Sequence, residues 1–149
     1  MKVSTRGEYG LRAMLDLAEH YHQEPITLRS IAERQGISES YLEQLIACLK
    51  KGGLVSSVRG AQGGYELLKS PAEIKISEIF TLLEGPIAPV ECVRETRTEV
   101  ECRNSQKCAV QLLWQKVRNS ITEVLEATTL ADLVNQSREL NKDSLIYHI

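Results

Sequence analysis

The stretch from Thr27 to Leu67 constrains this chain more than any other. It holds two short amphipathic patterns separated by one glycine, then a glycine-rich run flanked by β-forming residues. Thr27 suits the N-cap of a helix over LRSIAERQG, which Gly36 breaks. Ser38 or Ser40 suits the cap of a second helix, SYLEQLIACLKK, and Ser40 with Glu43 has the S-x-x-E spacing of a capping box. Gly52-Gly53 stops that helix. Leu54, Val55 and Val58 then alternate as a strand, Gly60, Gly63 and Gly64 supply turn conformations, and Tyr65-Glu66-Leu67 alternates back. The unit reads as a helix-turn-helix followed by a two-stranded hairpin, which is a winged helix.

Around it, GEYGLRAMLDLAEHYH over 7–22 has near-helical apolar spacing that Pro25 ends, and 74–84 reads as a further short helix. Residues 85–107 hold two prolines, two cysteines and many charges, which reads as a loop. A long helix is expected from Ser105 to Thr129, and the tail LNKDSLIYHI ends in apolar residues that favour docking. The expected fold is mainly α with a small two-stranded wing. Its parts are a winged helix-turn-helix over 1–84, a cysteine-bearing loop over 85–104, and a dimerisation helix with C-terminal tail over 105–149.

A helix-turn-helix implies DNA binding, because the N-terminal end of its second helix reaches base edges in the major groove. Ala32 is small where the helices cross, Gly36 suits the turn, and Ile37, Leu42 and Leu45 pin the second helix to the core. Ser38, Ser40, Tyr41, Glu43 and Gln44 then lie at its exposed end. Gln reads adenine, Glu accepts from cytosine N4, and hydroxyls hold phosphates. Arg59 near the wing tip suits a narrow minor groove. Arg6, Arg12, Lys50 and Lys51 are candidate phosphate contacts. The plainer alternatives are that Glu43 only completes a cap and that Lys50-Lys51 is solvated charge.

Net charge does not advertise nucleic acid: 18 basic against 20 acidic residues give −2. Residues 1–70 carry 9 basic and 8 acidic residues, and 71–149 carry 9 and 12, so the acidic excess sits outside the winged unit. Aromatics at 5% argue against single-strand binding by base stacking. No apolar run approaches the roughly 20 residues of a membrane span, and MKVSTRGEYG has no signal-peptide core. The expected location is the cytoplasm.

In the long helix, Val110, Trp114, Val117, Ile121, Val124 and Thr128 recur in alternating steps of four and three, a heptad seam. Leu112, Leu113 and Leu125 widen it. The expectation is a homodimer on a palindromic operator; the alternative is a helix packed on its own domain.

Cys48, beside Ile46, Ala47 and Leu49, reads as a small buried hydrophobe. Cys92, Cys102 and Cys108 follow C-x9-C-x5-C. Thiolates clustered in a polar loop point to metal or redox chemistry. Structural zinc prefers C-x2–4-C pairs, which are absent, whereas wide spacing on a loop suits an iron–sulfur cluster. The chain has no C-x-x-C, no nucleophile–base pair and no cofactor loop, which argues against an enzyme or electron carrier.

The segments VSTRGEYGLRAMLDLA, SIAERQGISESYLEQL and GLVSSVRGAQGGYEL, with the late Cys-Leu-Trp region, resemble IscR-type iron–sulfur-sensing regulators of the Rrf family. The resemblance runs to about residue 135. It implies a dimeric winged helix, a 2Fe–2S cluster on Cys92, Cys102 and Cys108, and control of cluster-biogenesis genes, as a repressor or dual regulator. It places Ser38, Ser40, Tyr41, Glu43 and Gln44 on the recognition helix and Arg59 on the wing. Two departures stand out. The first cysteine interval is four residues longer than the usual C-x5-C, and Gln111 replaces the usual histidine three residues after the last cysteine. Glu8, supplied from the partner subunit as a carboxylate is in related sensors, is the leading substitute ligand. Gln111, His20, His22 and His148 are the others, and Glu8 is also readable as an ordinary exposed carboxylate. The competing reading within the family is a cluster-free regulator answering to thiol oxidation or a protein partner.

Overall fold

A computed structural model describes residues 2–89, 93 and 108–147, with side chains through 144. Six α-helices, a short 3-10 turn (Pro71–Glu73) and one hairpin are present among them: α1 (Thr5–Glu19), α2 (Leu28–Gln35), α3 (Glu39–Lys51), β1 (Val55–Val58), β2 (Gly64–Leu67), α4 (Ile76–Glu84), α5 (Ala109–Ala127) and α6 (Leu130–Tyr147). The winged helix-turn-helix expected from the sequence is the architecture observed.

Helix α1 is the central rod. Ala13, Met14, Leu17 and Ala18 form its buried face, and α2, α3, α4 and α6 all pack on it. It begins earlier than its apolar pattern indicates, because Ser4 caps it by accepting from the Gly7 N–H at 3.2 Å. It also ends earlier, at Glu19. The chain then turns through His22, whose φ of 72° places it in the left-handed region, so Pro25 follows the turn rather than making it. At Gly10 a Cβ would overlap the Leu83 side chain, which lets α1 and α4 approach closely.

The pair α2–α3 forms as expected. The Thr27 hydroxyl accepts from the Ser30 N–H, and Gly36 ends α2 at φ 68°. Ala32, Leu42 and Leu45 are buried, and Ile37 is half-buried against them. Asp16 of α1 fixes this pair in place. It is the one buried charged residue among those described. Arg34 of α2 grips it with two hydrogen bonds, Nε to Oδ2 at 2.9 Å and Nη2 to Oδ1 at 2.7 Å, and Gln35 Nε2 adds a third at 3.1 Å. The hydrogen bond to Asp16, with its charge, raises the Arg34 guanidinium above its already high range.

Strands β1 and β2 pair antiparallel, Val55 opposite Leu67 and Val58 opposite Gly64. Ile26, just before α2, exchanges two backbone hydrogen bonds with Tyr65, at 3.0 and 2.7 Å, and so ties the wing to the helix pair. Gly64 lies so close to the Ile26 backbone that a Cβ would not fit.

The C-terminal third differs from expectation. The long helix covers 109–127 rather than 105–129, and the tail is a second helix, α6. Thr129 and Asp132 form a reciprocal cap at the start of α6: the Thr129 N–H donates to Asp132 Oδ2 at 2.9 Å and the Asp132 N–H to Thr129 Oγ1 at 3.2 Å. The junction is stitched to the start of α4 by Ile76 N–H to Thr128 O (3.0 Å) and Leu130 N–H to Ile74 O (2.8 Å). Leu130 and Val134 thereby enter the core of the winged unit.

Removing Arg34 leaves Asp16 a buried charge with weaker partners. Arg34→Met should lower stability in urea by about 2–3 kcal/mol. Adding Asp16→Asn should recover part of that loss, because it removes the charge that lacks compensation.

Candidate nucleic-acid interface

The site grows from the start of α3. Ser38 has the extended backbone of a cap, and its hydroxyl accepts from the Tyr41 N–H at 3.1 Å. Helix α3 therefore begins at Glu39, and Ser40 already lies inside its first turn. The Ser40–Glu43 capping box expected from the sequence does not form, because the cap falls two residues earlier. Both side chains are left exposed.

Ser40, Glu43 and Gln44 lie on one exposed stripe of α3, and Ala47 continues it at helical spacing. The opposite face, Leu42, Leu45, Ile46 and Leu49, is buried. Tyr41 stands between the two. It is half-buried, its ring meets that of Tyr9 edge-on at 6.3 Å, and its hydroxyl donates to Thr5 Oγ1 at 3.5 Å. The Arg12 guanidinium lies over the Tyr9 ring at 5.8 Å and pairs with Glu8 at 3.2 Å.

Arg59 is exposed at the wing tip, after Val58. A turn closed by Gly63 N–H to Gly60 O at 3.0 Å follows it, with Gly60 at φ 112°. Lys50 Nζ donates to Ser57 Oγ at 2.8 Å, so the end of α3 is linked to β1 as well as being exposed. Lys51 and Arg6 are exposed.

The candidate metal ligands are less completely seen. Cys92, Cys102 and His148 lie outside the described residues. Cys108 is the N-cap residue of α5; it is half-buried, and its thiol makes no capping hydrogen bond. Gln111 follows one turn later and is half-buried. Glu8 is exposed on the first turn of α1. His20 Nδ1 sits 2.7 Å from the Asp16 carbonyl oxygen, and His22 is exposed with its ring against Tyr21. Among the described residues, no three His, Cys, Asp or Glu side chains converge as a metal site. Cys48 is half-buried rather than buried, and its thiol donates to the Leu82 carbonyl at 3.3 Å.

Sequence reasoning missed Asp16, Glu84 and Ala47. Asp16 carried a signal: an acidic residue inside the apolar stripe of an amphipathic helix needs a buried partner. Glu84 carried none, because its partners lie 77 and 80 residues away.

A family model described as Rrf2, iron-dependent transcriptional regulator, matches residues 3–136. The chain belongs to this family. CymR of Bacillus subtilis (strain 168) is 43% identical over 135 residues, which is 91% of each chain. Its solved structure, described as that of the global cysteine regulator, superposes with a TM-score of 0.75 and covers 91% of this chain and 98% of that one. IscR of Erwinia tasmaniensis is 39% identical over 140 residues, 94% of this chain and 82% of its own. The structure of T. potens IscR is 47% identical with a TM-score of 0.76, covering 94% of this chain and 90% of that one. This Rrf2 chain is thus a DNA-binding transcription regulator and not an enzyme. Among the described residues no helix is long and apolar enough to cross a membrane.

The two serines at the start of α3 separate by stability. Ser38→Ala should lower stability in urea by about 1 kcal/mol through the lost cap, whereas Ser40→Ala should stay within about 0.5 kcal/mol of the parent.

Proposed function

We propose that this Rrf2 regulator is a cytoplasmic homodimer that binds a palindromic operator and senses an iron–sulfur cluster of the 2Fe–2S type. The observation that carries operator binding is the divided surface of α3, one face locked in the core and the other a polar stripe that stands exposed among the described residues. In this reading the start of α3 enters the major groove. Gln44 pairs with adenine and Glu43 accepts from cytosine N4, while Ser40 reaches either base edges or phosphate. The Ser38 hydroxyl holds a phosphate, as do Arg6, Arg12, Lys50 and Lys51, while the Tyr41 hydroxyl is turned to Thr5 and backs the start of α3. Arg59 enters the adjoining minor groove.

Support for the dimer comes from α5. It has no buried residue, although it carries the heptad seam from Val110 to Val124. Val110, Leu112, Leu113 and Val124 are each more than half exposed. A second copy of α5 would cover this face.

Cys92, Cys102 and Cys108 would hold the cluster, with Glu8 of the partner subunit as fourth ligand. Cys108 fits the role, since its half-buried thiol is not spent on capping α5. The Arg12 pair leaves Glu8 available, because a pair with both side chains about half exposed is weak. A bound cluster supplies a reversible one-electron centre. The reading assigns the protein to control of cluster-biogenesis genes, as a repressor or dual regulator.

The second reading is a cluster-free regulator answering to thiol oxidation or a protein partner. Gln111, a poor iron ligand, favours it, as does the 43% identity to CymR.

Absorption and electron paramagnetic resonance spectra of anaerobically purified protein decide between the two. The first reading expects a brown protein whose colour is lost in Cys92→Ala, Cys102→Ala or Cys108→Ala and altered in Glu8→Ala. A colourless, iron-free protein with full operator binding contradicts it and leaves the second. An unchanged spectrum in Glu8→Ala removes Glu8 as a ligand.

A further inference from the structure

We propose that Glu84 is a positioning residue for the recognition helix, acting through the first turn of α1; the proposal rests on the operator-binding reading above. Glu84 is the last residue of α4. Its Oε1 accepts from the Ser4 N–H at 3.1 Å and the Gly7 N–H at 3.1 Å, and the Ser4 hydroxyl donates to it as well. Those are the two backbone donors that a capping box satisfies from within a helix, the cap residue and the third residue after it. In α1 the third residue is Gly7, which has no side chain to reach back. Glu84 takes that role from another helix.

The glycine is required for this. A Cβ at Gly7 would overlap the Glu84 carboxylate. The start of α1 thus keeps the Ser4 half of a capping box and takes the other half from α4. The carboxylate also sits at the positive end of the α1 macrodipole, which strengthens the contact.

The turn held in this way supports α3. Thr5 accepts from the Tyr41 hydroxyl, and the Tyr9 ring meets both the Tyr41 ring, edge-on, and the Arg12 guanidinium. The core fixes the axis of α3 through Leu42 and Leu45, while this turn fixes the lateral position of its first residues. Releasing Glu84 frays the turn, and the start of α3, with Ser40, Glu43 and Gln44, shifts against the bases it reads.

The test is fluorescence anisotropy well below the melting temperature, with duplex DNA selected by the wild-type protein and an unrelated duplex of equal length. Glu84→Ala and Gly7→Ala should each weaken binding to the selected duplex by about tenfold, the scale of one mismatched base pair. Binding to the unrelated duplex, governed by phosphate charge, should change by less than about twofold. Glu84→Gln keeps the acceptor oxygen and should recover most of the loss. Tyr9→Leu should add little once Glu84 is gone. Gly7→Ala is the sharper variant: a role limited to helix stability predicts a gain from alanine, whereas a displaced carboxylate predicts a loss. It also decides the matter if Glu84→Ala does not fold. Selected-duplex affinity within about twofold of wild type in the folded variants overturns the proposal, as does an equal loss on both duplexes. If the wild-type protein itself does not distinguish the duplexes, the operator-binding reading has failed instead.

Discussion

The fork between Arg34 and Asp16 is the interaction on which the arrangement of this molecule turns. A carboxylate 3% exposed is unfavourable alone, so it selects the one placement of α2 that brings a guanidinium and an amide onto it. Apolar packing at Ile31 and Ala32 tolerates small shifts of a helix, whereas a bidentate pair does not. Once α2 is set on α1, Gly36 sets the turn and α3 follows. The wing is then bound to the same frame at Ile26 and Tyr65. The exposed stripe of α3 is presented by a scaffold that is polar at one point and apolar elsewhere.

The C-terminal helices divide two tasks. Helix α6 belongs to the winged unit: its start is stitched to α4, Leu130 and Val134 sit in the core, and Ser137 donates to Glu19 at 2.7 Å. Helix α5 packs on α4, with Leu125 half-buried against the core, but has no fully buried residue. Val110, Leu112, Leu113 and Val124 stay more than half exposed, whereas Trp114, Val117 and Ile121 of the same helix are half-buried. The heptad spacing points to a second α5.

Most of the winged unit was legible because its signals are local. Thr27, Gly36 and the glycines of the wing act through their own backbone, and the apolar periods of α2 and α3 are short and clean. The start of α1 was misplaced because half of its cap comes from Glu84. The cap of α3 was left between Ser38 and Ser40 because both have a hydroxyl, and only the extended backbone at Ser38 decides. Only a tail, LNKDSLIYHI, was read where α6 lies, although Thr129-x-x-Asp132 carried its cap, because past Val134 its residues are mostly exposed and show no apolar period. The exposed stripe Ser40, Glu43 and Gln44 of α3 followed from helix geometry alone. Of the four cysteines, Cys48 lies on α3 as read and Cys108 is the N-cap of α5, while Cys92 and Cys102 lie outside the described residues.

The central claim is that two copies of α3 read one DNA site in symmetric register. Duplexes selected from random DNA by the purified protein, followed by guanine-methylation interference on the bound population, test it directly. The account predicts an inverted repeat with two major-groove interference patches on one face of the duplex. Their centres should lie about one helical turn, roughly 10 base pairs, or a multiple of it apart. A single unsymmetrical patch, or binding with no sequence preference and no interference, would contradict it.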